Sequence, residues 1–371
     1  MKLVLSVEAL SPDLTGIGRY TWELAQRLPR HPAIQDARFY RNGQWVREPA
    51  SLLKNASTKP NLSKGIKLKL PRWLHNLRLD AACKGAVFHG PNFFLPPCAD
   101  IGVITVHDLS VFKFPETHPI DRIKQFERDF SRSLAQAAHV ITDSQTTRAE
   151  VMAYTGLAAS KVTAVPLGVS GAYIPVSCSD AAGPLRKYSL TPGGYALCVS
   201  TLEPRKNVAQ LLAAWRLLPQ ALRNSFLLVL VGGNGWLSDA LQHEISLAQA
   251  QGWVKSLGYV PEQDLPLLYA GAALFVYPSS YEGFGLPPIE AMACGVPVIV
   301  SDQSCLPEVT QGAALTVKPD DTAEFSRGLE RGLTDDPWRQ HAVVAGNLVA
   351  EYYTWDRCID GTTLVYQLIS C

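Results

Sequence analysis

The chain has almost no excess of charge of either sign. Its 34 Lys and Arg residues are nearly balanced by 33 Asp and Glu residues, which leaves a formal net charge of +1 over 371 residues. Proteins that bind nucleic acid through their overall field carry a strong positive excess, so the composition gives no support to that function. With 47% hydrophobic and 18% charged residues, the chain is expected to be ordered and long enough for two domains.

The sequence also lacks the cysteine and hydrophobic patterns of several other classes. None of its eight cysteines forms a C-x-x-C pair, so we expect reduced core thiols rather than a zinc site or a disulfide framework. No uninterrupted apolar stretch approaches the length of a membrane span. The short run Leu3 to Val7 predicts a first β-strand rather than a signal peptide. These patterns favour a cytoplasmic protein.

Two motifs of nucleotide-dependent enzymes are incomplete or missing. Gly16 and Gly18 follow the first predicted strand, but Thr21 stands where G-x-G-x-x-G requires a third glycine. The two glycines can form a tight turn required by packing or a loop that faces phosphate, and the rest of the chain favours the loop. Asp-x-Asp does not occur in the sequence, so an arrangement of two acids, a metal ion and a diphosphate is not supported. We therefore expect no metal cofactor.

Apolar runs alternate with helical patterns along most of the chain. This alternation predicts the α/β class, with parallel β-sheets and helices between the strands. Pro and Gly cluster between residues 167 and 193, which makes this stretch the predicted boundary between two domains.

The most informative stretch, residues 279–295, lies between two apolar runs. The prolines at 287–288 fit the first turn of a short helix, where a missing N–H costs least, and Gly295 fits the position after its end. Gly283 and Gly285 in the preceding loop let a ligand approach the backbone closely. Free N–H groups at the positive end of a helix bind phosphate, so this loop predicts a phosphate site.

Two acids flank that loop. Glu282 and Glu290 are separated by seven residues, and both can face the same cleft. Because a phosphate repels a carboxylate, the pattern favours a ligand with a diphosphate in the middle and hydroxyl-rich groups on both sides. A nucleotide-sugar has this form, with one acid on the sugar and the other on the ribose. The alternative is a helix start stabilised by acids near its dipole, and the glycines, prolines and spacing together favour the ligand.

This stretch resembles the retaining glycosyltransferases of family 4, which have the GT-B fold. The resemblance is carried by Glu282-x7-Glu290, by Gly-Phe-Gly-Leu-Pro at 283–287 and by Glu-Ala-Met-Ala-Cys-Gly-Val-Pro-Val at 290–298. It implies two Rossmann-like domains whose parallel sheets face each other across a cleft. The implied limits are an N-terminal acceptor domain at 1–170, a linker at 171–193, a donor-nucleotide domain at 194–350 and a final helix at 351–371 that crosses back to the first domain.

The resemblance also implies roles in the first half of the chain. His107 and Asp108 match the family's His-Asp motif after a strand, whose histidine contacts the transferred sugar. His107 and Glu282 are therefore the predicted catalytic residues, although a lone histidine more often has a structural role. His89 and Asn92, at the end of another predicted strand, are expected to line the acceptor pocket.

A cationic pair in the second half is predicted to bind the donor phosphates. Arg205 and Lys206 at a loop-to-helix entry can clamp a diphosphate, and they resemble the family's pair, although Thr201 stands where many relatives carry a further Arg. The alternative, that Arg205 and Lys206 are solvated basic side chains without a ligand, is disfavoured because positive charge at the start of a helix opposes the helix dipole. The residues predicted to bind the donor are Gly16, Gly18, Arg205, Lys206, Gly232, Gly233, Val260, Leu265, Gly283, Phe284, Gly285, Leu286 and Glu290.

Residues 201–207 and 281–290 resemble bacterial mannosyltransferases of O-antigen and exopolysaccharide assembly. This implies transfer of mannose from GDP-mannose, with retention, to a lipid-diphosphate-linked oligosaccharide at the cytoplasmic face of the inner membrane. GDP-rhamnose or a UDP-sugar stays open as the donor, and retention can proceed by same-face attack or through a covalent step. A non-catalytic protein that binds a sugar nucleotide as a scaffold also stays open. A glycoside hydrolase also uses two carboxylates, but it would not need Arg205, Lys206 or a phosphate-binding helix.

Residues 37–84 are unusually basic. They contain eleven Lys or Arg residues against Glu48 and Asp80, a net charge of +9 where the whole chain has +1. Apolar side chains alternate with the bases between residues 66 and 79, a pattern that suits an anionic membrane surface. A solvated loop and helix explains the same charge equally well.

Removal of charge within this segment tests the membrane hypothesis. Replacing Lys64, Lys67 and Lys69 by Gln should weaken binding to anionic phospholipid vesicles on the order of tenfold or more, because each base near such a surface contributes about 1 kcal/mol. Co-sedimentation with vesicles measures the effect. Equal binding of this variant and the wild type would remove the membrane role of the segment, and a triple variant at Lys124, Lys255 and Lys318 is the matched control.

Overall fold

The described strands of this computed structural model form two sheets, of seven and six strands. The structure describes residues 1–12, 14, 16–54, 81–115, 120–233, 235 and 239–370. Neighbouring strands run parallel throughout, apart from one antiparallel pair at the edge of the first sheet. The predicted α/β class with parallel sheets is therefore confirmed.

The first sheet has the order β3-β2-β1-β4-β5-β6-β7. Its strands are short and, apart from β2 and β3 at one edge, mostly apolar, and helices follow most of them. The elements are β1 Lys2–Ser6, α1 Gly16–Arg27, β2 Asp36–Arg41, β3 Gln44–Val46, β4 Val87–Gly90, β5 Ile101–Val106, α2 Ser110–Lys113, α3 Ile120–Gln136, β6 Ala137–Thr142, α4 Gln145–Thr155 and β7 Val162–Ala164.

The second sheet has the order β10-β9-β8-β11-β12-β13. Its elements are α5 Cys178–Leu185, β8 Tyr195–Val199, α6 Val208–Arg216, α7 Gln220–Ser225, β9 Leu227–Val231, α8 Asp239–Ala250, β10 Val254–Gly258, α9 Leu265–Ala270, β11 Leu274–Tyr277, α10 Leu286–Ala293, β12 Val298–Ser301, α11 Leu306–Thr310, β13 Leu315–Val317, α12 Thr322–Thr334, α13 Asp336–Tyr352 and α14 Trp355–Ser370. The central strands are buried on both faces, as expected for parallel strands covered by helices.

The last helix returns to the first domain. Helix α14 packs on β5, β6 and α1, and Val169 donates a backbone hydrogen bond of 3.0 Å to the Tyr353 carbonyl just before it. One cluster of buried side chains consequently runs from Leu5 through Tyr366 to Phe275 of the second sheet. The chain limits assigned to the two domains stay predictions, because shared packing does not define where one folding unit ends.

Several described elements were not predicted from the sequence. The start of the basic segment forms the hairpin of β2 and β3 at the sheet edge, where the expectation was a loop or helix. Helix α5 lies within the predicted linker, and α13 has no counterpart in the sequence interpretation. Residues 55–80, with Lys64, Lys67 and Lys69, lie outside the described residues.

His89, a residue of β4, is fully buried, which contradicts its predicted place in an acceptor pocket. Its Nδ1 lies 2.6 Å from the Tyr366 hydroxyl and its Nε2 lies 2.8 Å from the Thr105 hydroxyl. Burial, with a smaller contribution from the charge of His107, lowers the pKa of His89 to about 3. A neutral ring with both nitrogens bonded is a structural element, and it fixes α14 to the first sheet.

The contribution of this contact to stability can be measured. Tyr366→Phe removes the hydroxyl and leaves a buried ring nitrogen of His89 without its partner, which should cost about 1–3 kcal/mol of unfolding free energy. Urea unfolding followed by tryptophan fluorescence gives the value. Tyr352→Phe, at a half-exposed ring on α13, should leave the unfolding free energy unchanged. Equal losses for the two variants would contradict the anchoring role of the His89–Tyr366 contact.

Candidate active site

The loop between β11 and α10 has the backbone predicted from its sequence. Helix α10 begins at Leu286 with the two prolines in its first turn, and Gly285 before it has a φ of +92°. Gly295 after the helix has a φ of +72°. Both glycines occupy the left-handed region, which side chains with a Cβ rarely adopt. Because Pro287 and Pro288 have no N–H, the N–H groups available to a phosphate at this helix start are those that precede the prolines.

Glu282 in this loop is buried within a cluster of polar groups. Its Oε1 accepts hydrogen bonds from Lys206 Nζ and, at 2.8 Å, from the Tyr277 hydroxyl, while Arg205 lies 3.6 Å from Oε2. Burial alone would raise the pKa of Glu282, but the charges of Lys206 and Arg205 outweigh it and lower the pKa to about 2. The carboxylate is therefore ionised at neutral pH and acts as a hydrogen-bond acceptor.

Arg205 is held on a short 3₁₀ turn, Pro204–Lys206, between β8 and α6. Its guanidinium donates to the Tyr281 carbonyl at 2.9 Å and lies 3.0 Å from Glu203. Its Nε is buried and has no hydrogen-bond partner within the described part of the chain. The two cations thus lie beside Glu282, and an unsatisfied donor remains for an anionic ligand.

Glu290 on α10 is bonded by a residue from the other domain. Arg19 of α1 donates to its Oε1, and the Tyr269 hydroxyl donates to Oε2 at 2.9 Å. Arg19 Nε also lies 3.0 Å from Glu262. Burial alone would lower the pKa of Arg19, but Glu290, the buried Tyr173 and Glu262 raise it above the ordinary value. Arg19 was missed in the sequence, where only its position beside Gly16 and Gly18 could have indicated it.

His107 follows β5, and both of its ring nitrogens are bonded within the first domain. Nδ1 donates to Asp143 at 2.7 Å and Nε2 donates to the Pro91 carbonyl at 2.8 Å. Burial alone would lower the pKa of His107, but the Asp143 carboxylate raises it above the usual value. The contact between His107 and a transferred sugar stays a prediction, because Nε2 would have to exchange the Pro91 carbonyl for the sugar.

The start of α4 binds the loop of the second domain directly. The Ser144 and Thr147 hydroxyls donate to the Gly283 carbonyl at 2.8 and 3.1 Å. The backbone N–H groups of Gln145 and Thr146 donate to Glu308 at 2.7 and 2.8 Å, as helix N-termini favour a carboxylate. The sequence interpretation assigned no role to these contacts, because nothing local links residues about 140 positions apart.

Gly283 contacts the first domain closely. A Cβ built on it would lie 1.6 Å from the His107 carbonyl oxygen, so no larger residue fits without movement of one domain. Gly232, at the end of β9, has a φ of +140°, and a Cβ there would lie 1.9 Å from the Ser200 carbonyl oxygen. At both positions a backbone carbonyl of another residue lies too close for a Cβ, which explains why the residue is glycine.

The other predicted donor residues follow strand ends of the two sheets. Because carboxyl ends of parallel strands meet at one edge, residues after β8, β9, β10 and β11 share an edge that faces the carboxyl ends of β1, β4 and β5. Gly16 and Gly18 lie at the start of α1, Gly233 after β9, Val260 after β10, Leu265 at the start of α9, and Phe284 and Leu286 at the start of α10. Asn92 lies after β4 and lines the cleft.

The described residues offer neither a metal-binding cluster nor a membrane-spanning helix. They contain no group of three or more His, Cys, Asp or Glu side chains placed to hold a metal ion. None of their helices is both long and apolar enough to cross a membrane.

Two family models match the chain, one on each half. The model described as Glycosyltransferase Family 4 matches residues 14–171, and the model described as Glycosyl transferases group 1 matches residues 189–347. O-antigen chain mannosyltransferase B of Escherichia coli is 37% identical over the full length of both chains. O-antigen chain mannosyltransferase RfbU of Salmonella typhimurium is 30% identical over 61% of this chain and 59% of its own length.

Solved structures share the fold at low sequence identity. HepE from Anabaena, crystallised with UDP and glucose, superposes over the whole of both chains with a TM-score of 0.73 at 17% identity. WaaG, a glycosyltransferase involved in lipopolysaccharide biosynthesis, gives a TM-score of 0.69 at 15% identity over 96% of this chain and 98% of its own. These are GT-B structures, so the two-domain fold implied by the sequence is confirmed.

Gly283→Ala tests the contact between the domains. The added Cβ would overlap the His107 carbonyl, so the contact should open and amide hydrogen exchange at residues 145–147 should accelerate about tenfold or more. Exchange followed by mass spectrometry measures this. Gly183→Ala, on the exposed side of α5 with nothing within 4 Å of its Cβ, should leave exchange at residues 145–147 unchanged. Unaltered exchange in Gly283→Ala would show that the contact does not hold the domains together.

Proposed function

The chain belongs to glycosyltransferase family 4, and we propose that it transfers mannose from GDP-mannose, with retention, to a lipid-linked glycan of O-antigen-type polysaccharide. One observation carries the proposal: Lys206, Arg205 and the start of α10 converge on one buried point of the cleft beside the ionised Glu282. Two cations and a helix N-terminus suit the diphosphate of a nucleotide-sugar.

The chemistry follows from where charge develops. As the bond between the sugar and the diphosphate breaks, negative charge builds on the leaving phosphate oxygen. We place that oxygen beside Arg205, with its unpartnered Nε, and Lys206, next to the loop N–H groups that precede the prolines of α10. Such preorganised donors in a water-poor site stabilise the transition state more than the ground state. In this scheme the protein's own cations serve the leaving group, and no metal is required.

The two acids have separate roles because their environments differ. Glu282, with a pKa of about 2, accepts hydrogen bonds from the sugar hydroxyls and cannot supply a proton. Glu290 binds the ribose hydroxyls, with Tyr269 and Arg19 fixing its orientation. Arg19 belongs to the first domain, so the ribose site is completed only when the two domains meet.

The choice of substrates rests on the relatives. O-antigen chain mannosyltransferase B is similar over the full length of this chain, and its name supports mannose as the sugar and an O-antigen chain as the product. We take GDP-mannose as the donor and a lipid-diphosphate-linked oligosaccharide as the acceptor, as the resemblance of residues 201–207 and 281–290 implies. An acceptor of this kind favours a position at the cytoplasmic face of the inner membrane, with the basic segment 37–84 as the contact.

Release of GDP without acceptor tests the donor chemistry. Wild type should slowly release GDP from GDP-mannose in water, and Lys206→Met should reduce this rate about 100-fold or more, because it removes a charge from the leaving-group site. Glu282→Gln should reduce it as well. Glu330→Gln, exposed on α12, is the control for both variants.

The rate is measured by enzymatic hydrolysis of the released nucleoside diphosphate and detection of the phosphate that this produces. GDP-rhamnose and UDP-sugars are compared with GDP-mannose as donors. Faster release of UDP from a UDP-sugar than of GDP from GDP-mannose would identify the UDP-sugar as the donor and leave the site assignment unchanged. Wild-type rates in Lys206→Met would overturn the leaving-group site. Tight nucleotide-sugar binding without turnover, even with mannose-terminated lipid acceptors, would identify a scaffold.

A further inference from the structure

The backbone of Glu282 is fixed by the part of the chain that follows β12. The Ser304 hydroxyl accepts the Glu282 backbone N–H at 3.1 Å and donates to the Glu282 carbonyl at 2.6 Å. Ser304 has a φ of +59°, a left-handed conformation that residues with a Cβ rarely adopt. Such strain persists where the surrounding structure imposes it, and it is concentrated at functional sites. One hydroxyl therefore bonds both backbone groups of the acid that we place on the sugar.

Cys305 adds a second contact to the same loop. Its Sγ lies 3.1 Å from the Glu282 carbonyl oxygen and 3.3 Å from the Phe284 carbonyl oxygen. Burial, with smaller contributions from Glu282 and Glu308, raises the pKa of this thiol well above its usual value. The thiol therefore keeps its proton at neutral pH and donates a hydrogen bond to the loop. Ser304 and Cys305 together connect the loop of Glu282 to the start of α11.

Glu308, on the same short helix α11, is bonded to the other domain. Its Oε1 accepts the backbone N–H of Gln145 at 2.7 Å, and its Oε2 accepts the backbone N–H and the hydroxyl of Thr146 at 2.8 and 2.7 Å. Both oxygens of the carboxylate are thus bonded to the first turn of α4. Because Ser304 lies just before α11, Glu308 links α4 to the residue that holds the backbone of Glu282.

Helix α4 also bonds both neighbours of Glu282. The Tyr281 hydroxyl donates to Glu150 of α4 at 2.6 Å and accepts the Leu109 backbone N–H at 3.1 Å. On the other side of Glu282, the Gly283 carbonyl accepts hydrogen bonds from two hydroxyls at the start of α4. One helix of the first domain thus defines the position of three consecutive residues in the second domain.

We propose that Glu308 is a positioning residue for the transfer. Bound to α4, it sets the place of Ser304, and Ser304 sets the backbone from which the Glu282 carboxylate reaches the sugar hydroxyls. The acid is then correctly placed only while the two domains are in contact, and selection of the sugar depends on a residue outside the donor site. The inference rests on the proposed function, since it concerns the sugar contacts of Glu282 in the same transfer.

The choice between donors measures the position of Glu282. GDP release without acceptor is compared for GDP-mannose and for a set of analogues that each lack one sugar hydroxyl. Wild type should prefer GDP-mannose about tenfold or more over the analogue without the hydroxyl that Glu282 binds, as a hydrogen bond to a charged group predicts. Glu282→Gln identifies this analogue, because the preference for GDP-mannose over it should disappear in that variant.

Glu308→Gln should reduce the same preference about threefold or more. The amide keeps one acceptor oxygen but turns an NH₂ group toward the N–H donors of α4, so the contact with the first domain is weakened. The preference is a ratio of two rates, so it does not change when part of the protein is unfolded. Glu330→Gln, exposed on α12, is the matched control and should keep the wild-type preference.

A double variant tests the route through Ser304. Ser304→Ala removes the hydroxyl that bonds Glu282, so it should also reduce the preference. If Glu308 acts through Ser304, the variant with both changes should have about the same preference as Ser304→Ala alone. Losses that multiply in the double variant, or a wild-type preference in Glu308→Gln, would overturn the proposal.

Hydrogen exchange separates this proposal from the donor chemistry. The Glu282 N–H is bonded to Ser304, so it should exchange about tenfold faster in Glu308→Gln than in wild type, without any nucleotide present. No GDP release from wild type, together with this faster exchange, would reject the proposed function and retain Glu308 as the residue that sets the Glu282 backbone. Unchanged exchange would reject the positioning role at any rate of GDP release, and so would a wild type without preference among the analogues.

Discussion

A buried carboxylate paired with a lysine is the interaction on which the rest of the site depends. Glu282 is removed from water, which is costly for a charge unless opposite charges and hydrogen bonds compensate it. Lys206, Arg205 and Tyr277 provide that compensation, and the pKa of Glu282 falls to about 2. The same pairing fixes both cations beside the loop that leads into α10.

The loop that carries Glu282 is also the surface on which the two domains meet. Gly283 packs against the His107 carbonyl and accepts hydrogen bonds from Ser144 and Thr147 of α4. A movement of one domain therefore moves the loop, and with it the geometry around Glu282. The ion pair of Arg19 with Glu290 extends this coupling to the nucleotide side of the cleft. Contacts between the domains thus fix the loop of Glu282 and the side chain of Glu290 together.

The closed cleft separates regions of opposite electrostatic character. Arg205 and Lys206 lie beside Glu282, whereas the wall of a neighbouring cavity in the cleft carries four carboxylates and two guanidinium groups. Arg205 borders both regions, since it lies 3.6 Å from Glu282 and also lines the cavity. In the proposed function the first region receives the anionic leaving group, which the acidic wall would repel.

The sequence alone determined the features that local backbone chemistry controls. The glycines and prolines around residues 283–295 predicted the loop and α10, because a positive φ or a missing N–H has few compatible residues. Apolar runs that alternate with helical patterns predicted the parallel sheets, because helices cover both faces of such sheets. Only the tertiary structure decided that Arg19 bonds Glu290, that both nitrogens of His107 are occupied, and that His89 is structural. A buried charge takes its partner from whichever element the fold brings near, and sequence order does not encode that choice.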